Sequence, residues 1–208
     1  MLYKKIKSII KQYLLRKKFS RKNDIQRWVT FSADLKIGKG CVIGAHSIIG
    51  RQVVIGNNVQ IGRYAFLEKI SIDKNSTIEL GVICTGYGQG RIQIGRESYI
   101  GIRNILDWSD DITIGNFVHI AGSSTGLWTH SSSQMCLNDI LLDDKDKKYR
   151  STSPIIIDDN VYVGGNCTIY PGVTIHHHSI IIPNTAVTKD VESYTLVGGV
   201  PAKIIKKL

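Results

Sequence analysis

Ile37-Gly38-Lys39-Gly40-Cys41-Val42-Ile43-Gly44-Ala45-His46-Ser47-Ile48-Ile49-Gly50-Arg51-Gln52-Val53-Val54-Ile55-Gly56-Asn57-Asn58-Val59-Gln60-Ile61-Gly62-Arg63-Tyr64-Ala65-Phe66-Leu67-Glu68 reads as the same six-residue phrase repeated without a gap. An aliphatic residue opens each hexad. The fifth place holds Cys41, Ser47, Val53, Val59, Ala65 and, in the hexad from Leu67, Ser71. The phrase returns at Ile157, Val163, Ile169, Ile175, Ile181 and Val187, with Val161, Cys167, Val173, Ser179, Thr185 and Val191 fifth. Short pieces at Ile94-Gly95, Ile100-Gly101 and Ile114-Gly115 join the two blocks.

A period of six is neither 3.6 nor simple alternation, so neither one amphipathic helix nor a flat strand explains it. Three hexads close one coil with three flat sides, and successive coils bury each other's edges at about 4.8 Å. The opening aliphatic residue points inward. The small or β-branched fifth residue also points inward, near a corner. Gly or Asn between them supplies permissive backbone for the corners. In this register Cys41 and Cys167 are interior thiols, and His46 and His176–His178 lie outside, where successive residues diverge too much to share a metal.

The pattern sits in a chain of 208 residues with 27 Lys+Arg, 17 Asp+Glu and net charge +10. Residues 1–23 hold nine bases and no acid, so the remainder carries 27 − 9 = 18 bases against 17 acids, or +1. A cationic leader on a near-neutral body is not a nucleic-acid coat, which needs bases along a binding face. Four scattered cysteines without CxxC spacing suit a reducing compartment. No apolar run approaches the roughly 20 residues of a spanning helix, and the leader lacks a secretory h-region. The expected location is cytoplasmic, at most at the inner face of the membrane. Within the leader, Leu2, Tyr3, Ile6, Ile9, Ile10, Tyr13 and Leu14 recur at helical spacing among lysines. Residues 1–27 are therefore an expected basic amphipathic helix and 28–208 the repeat domain. Two readings of the helix stand: contact with anionic lipid through residues 1–23, or packing on the coils or another subunit.

Two stretches break the period. Residues 72–93 contain Cys84-Thr85-Gly86-Tyr87-Gly88-Gln89-Gly90, which lacks the following helix and Lys-Ser/Thr of a phosphate loop. The larger break, about 126–156, is a polar excursion from a rigid scaffold, the usual seat of function. Trp128-Thr129-His130 stands at its start.

The hexads, the excursion and the final segment together resemble the hexapeptide-repeat acyltransferases, of the sugar and polysaccharide O-acetyltransferase type. That resemblance implies an all-β left-handed parallel β-helix, acetyl-CoA as co-substrate, no metal, and a homotrimer whose sites lie between neighbouring β-helices. It implies that His130 is the general base, since an imidazole with pKa near 7 can take the proton of an attacking hydroxyl. The base needs an orienting acceptor. Asn104, at a fifth place, is the candidate, with the equal alternative that it bridges backbone between coils. Asp107, Asp110 and Asp111 are alternatives, and Asp107 and Trp128 are also read as acceptor-binding residues. Val187-Thr188-Lys189-Asp190-Val191 and Gly198-Gly199-Val200-Pro201-Ala202-Lys203 resemble the coenzyme end of the family, about residues 187–208. By position, Gly165, Pro183 and Thr188 would line the pantetheine channel, and Lys189, Lys203 and Lys206 would meet the phosphates. The expected activity is acetyl transfer to a sugar hydroxyl in a ternary complex. The alternatives are N-acetylation of an amino-sugar nucleotide or small amine, a covalent route through Cys136, a non-catalytic scaffold, and a γ-carbonic-anhydrase-like zinc enzyme built on His119 and His130.

Overall fold

A computed structural model describes the backbone of residues 2–141 and 149–208, and side chains from residue 9 onward within that range. Helix α1 (Leu2–Phe19) precedes a β-solenoid of about nine turns. The solenoid has three parallel faces of ten, eight and seven strands, the ten-stranded face closed by one antiparallel strand, Lys203–Lys207. Its first strand starts at Asp24, ahead of the expected boundary at 28.

The hexad register explains the core. Ile43, Ile61, Ile78, Ile100, Ile120, Val163 and Ile181 stack down the ten-stranded face in successive coils. All are buried in one continuous apolar column. The fifth-place residues Cys41, Ser47, Val53, Val59, Ala65, Val161, Cys167, Val173, Ser179, Thr185 and Val191 are buried as well. Their polar members spend their hydroxyls on backbone carbonyls, as Ser47 does on Gly62, so burial leaves no donor unpaired. His46 and His176–His178 face solvent.

The corners divide their work in a way the sequence reading merged. The left-handed conformation falls at the fourth place, at Asn58, Asn160, Asn166 and Asn184, but also at His46, Gln52 and Tyr64. The second-place glycines have another reason: a Cβ on Gly44 would sit 2.4 Å from the carbonyl carbon of Gly62 in the next coil. They are small so that stacked backbones can touch.

The expected sixth hexad is wrong by one residue. Ser71 is exposed, while Ile70 and Ile72 are both buried. Ile55 pairs with Ile72 rather than with a residue 18 further on. Lys69 takes the left-handed corner, Ile70 moves into the inward fifth place, and strand alternation then turns Ser71 outward. The next coil is longer, with Ile72 paired to Ile94. Its extra length is the Gly86–Gly90 segment. The excursion is longer still. Ile114 pairs with Ile157 across it, so the coils on either side continue in register as if it were absent.

Candidate active site

The excursion leaves the solenoid later than its sequence suggests. Gly126–Leu127 is still a strand of the eight-stranded face, paired with Thr168–Ile169. Beyond it, His130–Ser131 pairs antiparallel with Ser151–Thr152, and a short helix, α2 (Ser133–Leu137), follows. Ser153 N–H then donates to the Thr129 carbonyl and closes the neck. His130 therefore sits on a pinned two-stranded stalk rather than on a free loop.

Asp107 ends the strand Ile105–Asp107 one coil below, with its side chain fully buried. Its Oδ2 lies 2.6 Å from His130 Nδ1 and accepts from the backbone N–H of Thr129 at 2.9 Å and of His130 at 3.2 Å. Its Oδ1 accepts from Ser109 Oγ at 2.6 Å and Ser109 N–H at 3.0 Å. Ser109 Oγ also lies 3.1 Å from His130 Nδ1 and accepts the Tyr87 N–H at 2.9 Å. Burial alone would raise the Asp107 pKa. The hydrogen bonds from Ser109 and His130 outweigh that burial and hold the carboxyl below its ordinary range. An ionised, acceptor-only carboxylate at this distance assigns the ring proton to Nδ1. Nε2 is then the basic nitrogen, and it has no hydrogen-bond partner among the described residues. The His130 side chain is 26% exposed, so a ligand can reach it.

The Gly86–Gly90 segment is a floor for this pair. A Cβ on Gly88 would stand 2.0 Å from the Ser109 carbonyl oxygen, one on Gly90 2.1 Å from the Asp110 carbonyl carbon, and one on Gly86 2.8 Å from Asp107 Oδ1. These glycines let the backbone lie flat against residues 107–110. Lys69 fastens the segment from the side, donating to the Gly88 carbonyl at 2.8 Å with its ammonium 4.0 Å from the Trp108 ring centre. A cavity of about 370 Å³ opens beside Ser109, lined by Tyr87, Asp110, Asp111, Arg150 and Thr152 among others. The Arg150 guanidinium stacks over Tyr87 at 4.7 Å, and its buried Nε has no hydrogen-bond partner among the described residues.

The other expected residues are distributed unequally. Asn104 does not reach His130. Its amide is buried and spent between coils, donating to the Ile120 carbonyl at 3.3 Å and accepting from Thr125 N–H at 2.8 Å. Asp107 touches His130 and has no free oxygen for an acceptor. Trp128 folds back over Gly126, where a Cβ would meet its Nε1 at 2.3 Å, and does not line the cavity. Cys136 is exposed on α2. His119 lies on the outside of the ten-stranded face against Tyr99. Ser109, Tyr87 and Arg150 were not singled out from sequence.

The coenzyme candidates gather at a different corner. Gly122 and Gly165 are stacked so closely that a Cβ on Gly122 would lie 2.8 Å from Gly165 Cα, and Gly164 packs against Pro183. Such a corner exposes bare backbone on which an extended chain can lie. Thr188, Lys189, Lys203 and Lys206 are exposed. Lys203 and Lys206 stand on the last strand, paired with Gly198 and Leu196. Bare backbone and solvent-facing cations fit a long polar ligand with phosphates at one end. Glu192 pairs with Lys207.

Comparison with known proteins agrees with this architecture. Residues 34–69 match the family described as bacterial transferase hexapeptide (six repeats), and residues 154–189 match the hexapeptide repeat of succinyl-transferase. WbbJ of Escherichia coli (strain K12), named as a lipopolysaccharide biosynthesis O-acetyl transferase, is 28% identical over 144 residues, 66% of this chain and 71% of that protein. The crystal structure of the polySia-specific acetyltransferase NeuO superposes with a TM-score of 0.62 at 25% identity, covering 89% of this chain and 85% of that one. Galactoside acetyltransferase in complex with coenzyme A gives 0.52 at 26% identity, over 64% of this chain and 62% of that one. Shorter matches span only 24% of a Staphylococcus aureus tetrahydropyridine-dicarboxylate N-acetyltransferase and 28% of a Klebsiella aerogenes chloramphenicol acetyltransferase. Hexad blocks are thus matched at both ends of a three-faced solenoid, and the chain is similar over most of its length to acetyltransferases built on hexapeptide repeats.

Proposed function

We propose that this protein transfers an acetyl group from acetyl-CoA to a hydroxyl of a sugar-type acceptor, with His130 as general base and Asp107 as its orienting carboxylate. The observation that carries this reading is the buried Asp107 oxygen 2.6 Å from His130 Nδ1, with Ser109, which contacts both, lining an open cavity. Acetyl-CoA would supply the activated acyl carbon. His130 Nε2 takes the proton of the acceptor hydroxyl as its oxygen bonds to that carbon. The imidazolium returns the proton to the sulfur as the carbon–sulfur bond breaks. Asp107, kept ionised, stabilises the imidazolium between the two steps. Such proton transfer is worth about 10²–10⁴ in rate.

A sugar acceptor is supported by the cavity lining. Asp110 and Asp111 offer carboxylate acceptors, and Tyr87, backed by Arg150, offers a ring face. The names of WbbJ, NeuO and galactoside acetyltransferase point the same way. N-acetylation is the second reading, favoured by the shorter matches to N-acetyltransferases and served by the same base. Pantetheine would run along the Gly122–Gly165 corner, by Pro183 and Thr188, toward Lys189, Lys203 and Lys206. That corner enters the eight-stranded face, and His130 leaves from the far end of the same face. We therefore assign the complete site to two neighbouring copies in a homotrimer.

The test is acetyl-CoA turnover by the purified protein against free sugars, nucleotide sugars, lipid-linked glycans and small amines. Acetyl esters on a sugar, lost in His130→Ala, are the expected result. Turnover on amines alone would replace the O-transfer reading.

A further inference from the structure

The N-terminal end of the molecule carries a second, separate surface. Among the described side chains, helix α1 is fastened to the first coils through one side. Gln12 exchanges hydrogen bonds with the Phe31 backbone at 2.9 and 3.0 Å, Arg16 donates to the Ile25 carbonyl at 2.8 Å, and Phe19 is buried against Phe31. The opposite side presents Ile9 (63% exposed), Ile10 (53%), Tyr13 (64%) and Leu14 (58%). Spacings of one, three and one residues put these four on one stripe, which Lys17 continues. Where α1 ends, an open groove of about 480 Å³ runs between it and the solenoid. Lys18, Arg21, Lys22 and Lys36 line it beside Phe19 and Leu35, with no carboxylate among the lining residues.

We propose that this end of the protein docks on an anionic lipid surface, the apolar stripe entering the interface and the basic groove receiving lipid phosphates. Charge decides between the available occupants. The solenoid of the same chain is already engaged through the opposite side of α1. A second copy would bring one leader of nine bases and no acid against another, or against a body of net +1 with no acidic surplus to neutralise it. A surface that combines hydrocarbon with dense negative charge satisfies both halves of the patch. No helix among the described residues is long and apolar enough to cross a membrane, so α1 lies in the interface plane.

The experiment is flotation of the full-length protein with vesicles of phosphatidylcholine alone and of phosphatidylcholine with phosphatidylglycerol. Sedimentation velocity and solution acetyl transfer are run on the same samples. Binding is expected only with phosphatidylglycerol, and high salt should release it. Lys17→Glu with Lys18→Glu should weaken binding by about tenfold or more. Ile10→Asp with Leu14→Asp should abolish it without altering sedimentation or acetyl transfer. Absence of flotation would overturn the proposal, and so would equal binding to both vesicles. So would an Ile10→Asp, Leu14→Asp protein that changes oligomeric state while lipid binding persists, since the stripe would then be a subunit contact.

Discussion

Asp107 carries two duties at once, one in folding and one in the site. Its carboxylate ties the coil of residues 105–107 to the neck of the excursion and sets the proton on His130. Asp107→Asn puts an amide donor among groups that all donate, so we expect kcat to fall by about 10²–10⁴ with little change in KM for acetyl-CoA. The stability effect has a definite sign. The folded pKa lies below the ordinary 3.8, so the ionised group contributes fully above that value and its contribution is lost as pH falls through the folded pKa. The stability gap between wild type and Asp107→Asn, measured by urea unfolding, should be widest near neutrality and narrow below pH 3.8. Asn104→Ala should behave oppositely to a site mutation. It strands a buried Thr125 N–H, costs about 1–3 kcal/mol of stability, and leaves the pH dependence of turnover unchanged. A shifted turnover profile in Asn104→Ala would return that residue to the site.

Among the elements, the Gly86–Gly90 segment links scaffold to the proposed site. It reads from sequence as a distorted coil or small loop, and in the structure it is the surface on which Ser109 rests. Gly88→Val would push on the Ser109 carbonyl, where a Cβ already has only 2.0 Å. Activity should fall by about tenfold or more, because sub-ångström displacement of positioned groups is costly, and the melting temperature should drop with it. The stalk of His130–Ser131 and Ser151–Thr152 predicts a different pattern. Deleting α2 while keeping that pairing should leave the Asp107–His130 contact intact, readable as an unchanged hydrogen-bonded His130 Nδ1 proton resonance by NMR. Loss of that resonance would show that α2 holds the stalk.

For the whole molecule, the separation of His130 from the Gly165 corner by one face of the prism predicts complementation between copies. His130→Ala protein and Gly165→Trp protein should each be inactive alone. Co-refolded into mixed forms of the proposed trimer, they should regain part of the activity, because some sites then join an intact His130 to an intact coenzyme corner. No recovery in mixed trimers confirmed by sedimentation would place the entire site in one chain. The same solenoid separates the two ends of the molecule. The proposed chemistry sits around its later coils, and the cationic leader lies against its first, so we expect lipid contact and acetyl transfer to be disrupted independently.

The sequence by itself determined the solenoid, because a hexad is a local rule: each inward residue needs only its own coil and the one beneath. It determined the two interruptions for the same reason, as places where the rule fails, and it put His130, the proposed base, at the start of the larger one. Tertiary structure alone decided the rest. Ser71 faces out because one residue is missing from a corner, a slip that only the pairing of Ile55 with Ile72 exposes. Asp107 rather than Asn104 meets His130 because the excursion leaves the face late, after Leu127, directly above the end of the strand that carries Asp107. Neither fact is local: each depends on which residues from different coils come into register, and periodicity along one chain does not encode that distance.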